Sequence, residues 1–299
     1  MYRGVGKGIL LLIATNILIM ITLAVVLNVL QALGVMPEGE IGYLLVLSLI
    51  WGFGGAFLSL AISRWAAKKM LGVQVIDPRR AGQYDWLVQM VHNQARASRL
   101  PAMPEVGVYH SPEMNAFATG PTRSRSLVAF SSGILSNMSR EELEGVSAHE
   151  VAHVQNGDMM AMTLLQGVVN AFALFFAKLI GRLVASRFEG RGAQLAVYIG
   201  VQLVAQILFL ILGSIVVAWF SRLREFRADA GSAKVSGRRN MVAALKALQR
   251  QQNARIPDEQ RIPDSVAALG INGKPSRMAM LFASHPPLEQ RIARLETGS

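Results

Sequence analysis

His149, Glu150, Val151, Ala152 and His153 form an H-E-x-x-H run. On a helix the i, i+4 spacing sets both imidazoles on one face a turn apart, where their Nε2 atoms can share one cation at about 2.0–2.1 Å from each. Glu150 stands on the flank of that face, able to reach a water molecule beside the cation without ligating it. That arrangement belongs to a metal-dependent hydrolase; a structural site would have no use for the non-ligating glutamate. A catalytic zinc takes three protein ligands and leaves a fourth position open. The chain has no cysteine and five histidines. Only His92, His110 and His285 remain beyond the pair, and a carboxylate is the better third donor. Glu225, in Arg224-Glu225-Phe226-Arg227-Ala228-Asp229, suits the role, because a helical E-x-x-x-D sets Asp229 one turn away to accept from a histidine Nδ1–H. The same run also reads as the charged start of a helix leaving a membrane, and residue types alone leave both readings open.

What must position these residues is a membrane protein. At 299 residues the chain is 52% hydrophobic and only 16% charged, too apolar for water. Four apolar runs, 8–33, 41–63, 159–180 and 193–220, approach or exceed the roughly 20 residues that cross the hydrocarbon as a helix. The first is nearly twice the length of a signal-peptide core and reads as an uncleaved anchor. Arg3 and Lys7 precede it, Glu38 and Glu40 separate it from the second, and Arg64, Lys68 and Lys69 follow the second. Residues 1–7 and the segment after residue 63 are therefore expected in the cytoplasm. The net charge of +11 lies mostly beyond residue 220 and in the flanks of the runs, a distribution suited to anionic lipid and not to a nucleic-acid cleft. Absence of cysteine excludes a disulfide scaffold, a thiol nucleophile and cysteine-ligated metal.

The polar segments 64–158 and 221–299 are expected to make up the two parts of one catalytic domain. Gln83 to Leu100 reads as an amphipathic helix. Glu105–Tyr109, Met114–Thr119 and Ser126–Ser131 read as strands, and Ser139 to Glu142 gives a capping box opening a helix that ends near Asn156 and Gly157. Ser221 to Ala233 and Asn240 to Gln252 look helical, Ile256 to Ser284 looks like a loop, and Pro286 and Pro287 start a last short helix. His153 stands just before the third run and Glu225 just after the fourth. A hairpin of the two runs returns both to one side, whereas a single crossing would part them. Arg182, Arg187 and Arg191 in the turn leave open whether the hairpin crosses fully. The amides of Gln166 and Asn170, and of Gln202 and Gln206, each share a helix face; the two stripes either face each other and bond across the helices or line a wet groove leading to the metal site.

The H-E-x-x-H run, Glu225-x-x-x-Asp229, Asn115-Ala116-Phe117-Ala118 and Ser284-His285-Pro286-Pro287 together resemble the HtpX family of bacterial membrane zinc metalloproteases, along essentially the whole length. The resemblance implies an α-helical integral membrane protein whose mainly helical, gluzincin-like α+β protease domain carries a small β-sheet. It implies one zinc ion on His149, His153 and Glu225, with Glu150 as the catalytic carboxylate and Asp229 orienting a ligand histidine. Asn115 to Ala118 would line an edge strand for substrate, and His285 would stabilise the transition state. It further implies an endopeptidase at the cytoplasmic face of the inner membrane, acting on membrane or misfolded proteins in quality control and stress response. The partners would be the bilayer and protein substrates, with no nucleic acid and no oligomeric state fixed. Prenyl-peptide processing by the same chemistry is not excluded by the motif.

Overall fold

The computed structural model describes residues 40–254 and 283–297. The first apolar run and nearly all of the loop expected from Ile256 lie outside them. The described residues divide into two compact units, one of residues 40–60 and 161–217, the other of residues 61–160, 218–254 and 283–297.

Three helices among the described residues are long and apolar enough to cross a membrane: α1 (Glu40–Met70), α5 (Asp158–Ala185) and α6 (Arg191–Val235). In the first unit they meet through small residues, as helices do where lipid removes the hydrophobic drive to associate. A Cβ on Gly52 would come within 2.5 Å of the Ala171 backbone, and one on Gly167 within 2.4 Å of the Phe53 ring. Ile41, Leu44, Phe175 and Leu179 are buried together beside these contacts. Outward faces keep large apolar side chains exposed, among them Ile50 and Trp51 on α1 and Leu195, Ile199 and Leu203 on α6. Two expectations change. The fourth apolar run and the helix expected after it are one 45-residue helix, α6, because nothing between Phe220 and Ser221 breaks it. The Gln166 amide donates to Asn170 Oδ1 at 2.8 Å along its own helix, so the bond that a facing stripe would receive is made within α5.

The second unit holds a four-stranded sheet: β1 (Gln74–Val75), β2 (Glu105–Tyr109), β3 (Ala116–Thr122) and β4 (Arg125–Ser131), ordered β1-β2-β4-β3. β2 and β4 run parallel, and the other pairs antiparallel. Phe130 and Val128 of the central β4, with Val106 of β2, enter a core shared with Leu87 and Val91 of α2 (Asp85–Ala97) and Ile134 of the short α3 (Ser132–Asn137). Leu143, Val151 and Val154 of α4 (Arg140–Asn156) and Ala244 of α7 (Arg238–Ala254) complete it. The last helix, α8 (Leu288–Thr297), sets Ile292 and Leu295 against Met241 and Leu245 of α7.

β3 is the edge strand, and α4 packs against it. Ser131 N–H donates to Asn115 O at 2.9 Å, and the register pairs Ala116 with Phe130 and Ala118 with Val128. Antiparallel pairing alternates bonded and non-bonded positions, so the N–H and C=O groups of Ala116 and Ala118 point to the open side. Met114 and Asn115, expected within the strand, precede it.

Glu105 at the head of β2 lies 2.5 Å from Arg64 and 2.7 Å from Lys68 on the last turns of α1. Partial burial raises its carboxyl, and the two cations outweigh this to hold it below the usual carboxylate range. A depressed folded pKa contributes stability that is complete above the unfolded value and is lost as pH falls through the folded one. Glu105→Gln should therefore lower the thermal midpoint of the detergent-solubilised protein at neutral pH, with the gap to wild type closing in acid. An unchanged gap from neutral pH to pH 3 would contradict the ion-pair account.

Candidate active site

The helix that carries the motif is closed at both ends by its own sequence. The Ser139 side chain accepts from Glu142 N–H, the Glu142 carboxylate accepts from Ser139 N–H at 2.9 Å, and Gly157 ends the helix in the left-handed region at φ 71°. Only a residue without a Cβ turns there at little cost, and the turn begins α5 at Asp158, so that the next acidic residue swings back onto the motif. Asp158 Oδ2 lies 2.6 Å from His153 Nδ1.

The approach of α6 is set by small residues. A Cβ on Gly231 would lie 2.8 Å from Ala152 Cβ, and Ser232 Oγ donates to Gly145 O of α4 at 2.8 Å. One Cβ on Gly145 would in turn strike Asn240 O of α7 at 2.5 Å. With α6 this close, Glu225, 1% exposed, sits between the imidazoles. His149 Nε2 is 3.0 Å from His153 Nε2, 3.5 Å from Glu225 Oε2, and His153 Nε2 is 3.3 Å from Glu225 Oε1.

These three residues could hold a metal ion. Ligands at about 2.0–2.1 Å from a tetrahedral zinc stand roughly 3.3–3.4 Å apart, close to the separations found. Glu225 Oε1 is buried without a hydrogen-bond partner among the described residues, an orphan that a cation would satisfy. The donor set is therefore of the right spacing and the right chemistry for a metal ion.

Electrostatics point the same way. Burial opposes charge on Glu225, yet His149, His153 and His285 outweigh it and hold the carboxyl far below the usual range. Burial would lower His153, but Asp158 and Glu225 raise it to about 9. His149 is likewise raised, with burial and the His153 charge overcome by Asp229 and Glu225. A metal ion binds neutral imidazole, so metal binding would compete with protonation of this pair.

Of the sequence candidates, His149, His153, Glu225, Asp229 and His285 are brought together. Asp229 Oδ1 lies 2.9 Å from His149 Nδ1. His285 Nδ1 lies 3.0 Å from Glu225 Oε2, with its side chain 63% exposed. Glu150 is half-buried on the motif helix. Sequence reasoning missed Asp158 and Arg291. Asp158 follows a helix-ending glycine and opens the next helix, a position where an acidic residue is common for reasons of helix electrostatics alone. Arg291 had a legible signal: it is one turn from Leu288 and Leu295, a charge set into the apolar stripe of an amphipathic helix. It is buried, and donates from Nε and Nη2 to Asp229 at 2.8 and 2.6 Å.

The model of peptidase family M48 matches residues 81–298. The chain belongs to peptidase family M48. It is 48% identical over 296 residues to Protease HtpX of Shewanella sp. (strain MR-4), covering 97% of this chain and 99% of that one. It is 49% identical over 295 residues to Protease HtpX of Aeromonas hydrophila subsp. hydrophila, again across 97% and 99%. In fold it is similar to the crystal structure of S. mikatae Ste24p, with TM-score 0.60 at 17% identity, over 95% of this chain and 66% of that one. This M48 chain is a membrane-associated metalloprotease, mostly helical with a small mixed sheet.

Because Gly231 and Ala152 set the approach of α6, Gly231→Ala should weaken metal binding by tenfold or more in a metal titration. Ala152→Gly on the same chain should restore much of it by reopening the space. Wild-type affinity in the single variant would show that the helices part without moving Glu225.

Proposed function

We propose that this M48 peptidase is a zinc-dependent endopeptidase that cleaves membrane or misfolded proteins at the cytoplasmic face of the bacterial inner membrane. The observation that carries this reading is the buried His149–His153–Glu225 cluster, whose donor separations suit a tetrahedral ion and whose one unpartnered oxygen faces it. Zinc held there would polarise a carbonyl and an attacking water.

The protein residues do the rest. Asp158 Oδ2 lies 2.6 Å from His153 Nδ1 and Asp229 Oδ1 2.9 Å from His149 Nδ1; with a carboxylate on that side of each ring, the Nε2 lone pairs would be directed to the centre of the cluster. Glu150 follows His149 on the same turn, and no hydrogen bond or ion pair engages its carboxylate among the described residues. It is free to take a proton from the attacking water and to deliver it to the leaving amine. His285, exposed beside Glu225, is in place to donate to the oxyanion. Substrate lies along β3 as an added strand, bonding the outward groups of Ala116 and Ala118, with Asn115 and Phe117 on the bonded side. Main-chain pairing ignores side-chain identity, and that suits a protease with many substrates. No covalent intermediate is required.

For topology we take residues 8–33, 41–63, 159–180 and 193–220 as the spans. The N-terminus, residues 64–158 and residues 221–299 then lie in the cytoplasm. Basic residues after the second span support this, as does a site assembled from both polar segments.

Glu150→Gln should abolish cleavage, a loss of at least about 10²-fold, while zinc stoichiometry stays near one, because the amide cannot serve as base and the ligands are intact. Retained proteolysis, or loss of zinc along with activity, would contradict the assignment. In this cysteine-free chain, single cysteines placed at 70 and 240 should both be labelled from the cytoplasmic side. Labelling of 240 from the opposite side would remove Glu225 as a ligand.

A further inference from the structure

The segment 283–297 makes polar contacts with α6 at three positions on one face, beside the Arg294 guanidinium lying over the Phe226 ring. Arg222 donates to Ala283 O at 2.7 Å, Glu225 meets His285, and Asp229 takes the two-pronged bond from Arg291. Positions 222, 225 and 229 are spaced i, i+3, i+7, a single helical stripe. The metal-facing stripe of α6 is thus also the seat of the C-terminal segment.

Arg291 occupies the centre of this contact. Nε and Nη2 clamp Asp229, and Nη1 lies 3.5 Å from Glu225 Oε2. Asp229 Oδ1 is shared between Arg291 Nη2 and His149 Nδ1. Two carboxylates one turn apart, both about 98% buried or more, would repel each other and pay desolvation without a cation between them. A planar guanidinium that forks onto one and faces the other holds both rotamers at once. α8 presents it from its footing on α7, where Ile292 and Leu295 pack and Lys246 and Gln249 bond Glu296 and Glu289 at 2.9 and 2.8 Å.

We infer that Arg291 is a positioning residue of the metal site, acting through Asp229 on His149, and that docking of the C-terminal segment and metal binding are therefore coupled. The inference rests on His149, His153 and Glu225 being the metal ligands. Coupling is reciprocal: a metal ion tightens the seat of residues 283–297, and loosening that seat weakens the metal.

The test uses the detergent-solubilised full chain, zinc titration and hydrogen exchange, so that it reads out without proteolysis. Zinc should slow exchange in residues 283–297 of the wild type. Arg291→Lys keeps the charge but not the fork, and should weaken zinc by several-fold; Arg291→Met should weaken it by about 10–100-fold, the range for such supporting partners. Arg291→Met leaves Asp229 unpaired and can lower the thermal midpoint for that reason alone. The double variant Asp229→Asn/Arg291→Met removes both charges. It should recover the midpoint while zinc affinity stays low, no weaker than in Asp229→Asn alone. Recovery of fold and affinity together, additive losses from Asp229→Asn and Arg291→Met, or wild-type affinity in Arg291→Lys would each overturn the inference. If the double variant does not fold, Arg291→Lys and the wild-type exchange decide: unchanged affinity, or exchange indifferent to zinc, rejects it. Tight, Arg291-dependent zinc in a chain that cleaves nothing would instead fault the functional reading and leave this one standing.

Discussion

Everything in the catalytic unit depends on burying the charge of Glu225. A carboxylate taken out of water costs several kcal/mol unless cations and donors replace the lost solvent, and here the replacements come from three directions. His149 and His153 rise from α4, His285 and Arg291 come from the C-terminal segment, and Glu225 Oε1, which has no hydrogen bond among the described residues, would accept a cation. Each imidazole in turn has a carboxylate beside its far nitrogen, Asp229 for His149 and Asp158 for His153. The site is a chain of groups of opposite charge within ion-pair distance of one another.

That chain dictates the packing. Carboxylate and imidazoles meet only if α6 lies nearly in backbone contact with α4, and Gly145, Ala152, Gly231 and Ser232 make the crossing that close. Large side chains there would pack as well by area but would hold the ligands apart. The apolar core beneath, from Phe130 to Leu143 and Val151, fixes α4 against the sheet and brings the motif helix beside the open edge of β3.

The long helices serve the same end. α5 starts at Asp158, immediately after the glycine that closes the motif helix, and α6 runs unbroken from Arg191 through Glu225 and Asp229. Asp158 and Asp229, the acids beside His153 and His149, thus lie on two of the helices long and apolar enough to cross a membrane.

Local features were open to reading from the chain alone. Both limits of the motif helix were legible, because a capping box and a glycine cap are satisfied within four residues of each end. The two histidines and the Glu225–Asp229 pair followed from helical spacing, and three of the four strands from short β-branched and aromatic runs; β1, two residues long, carried no such signal. Only the tertiary structure decided which acid serves which imidazole: His153 takes Asp158, an acid that its place in the first helical turn would already explain, and His149 takes Asp229. It alone placed Arg291, 62 residues beyond Asp229 in the chain, and made β3 the edge strand through a β2–β4 parallel pairing that skips it. It also set the Gln166 amide on its own helix neighbour Asn170, where spacing left facing stripes and a wet groove both open. The division has one cause: caps, periodicity and i, i+4 pairs are energies between near neighbours, whereas the partner of a buried charge is whichever group the packing brings within reach.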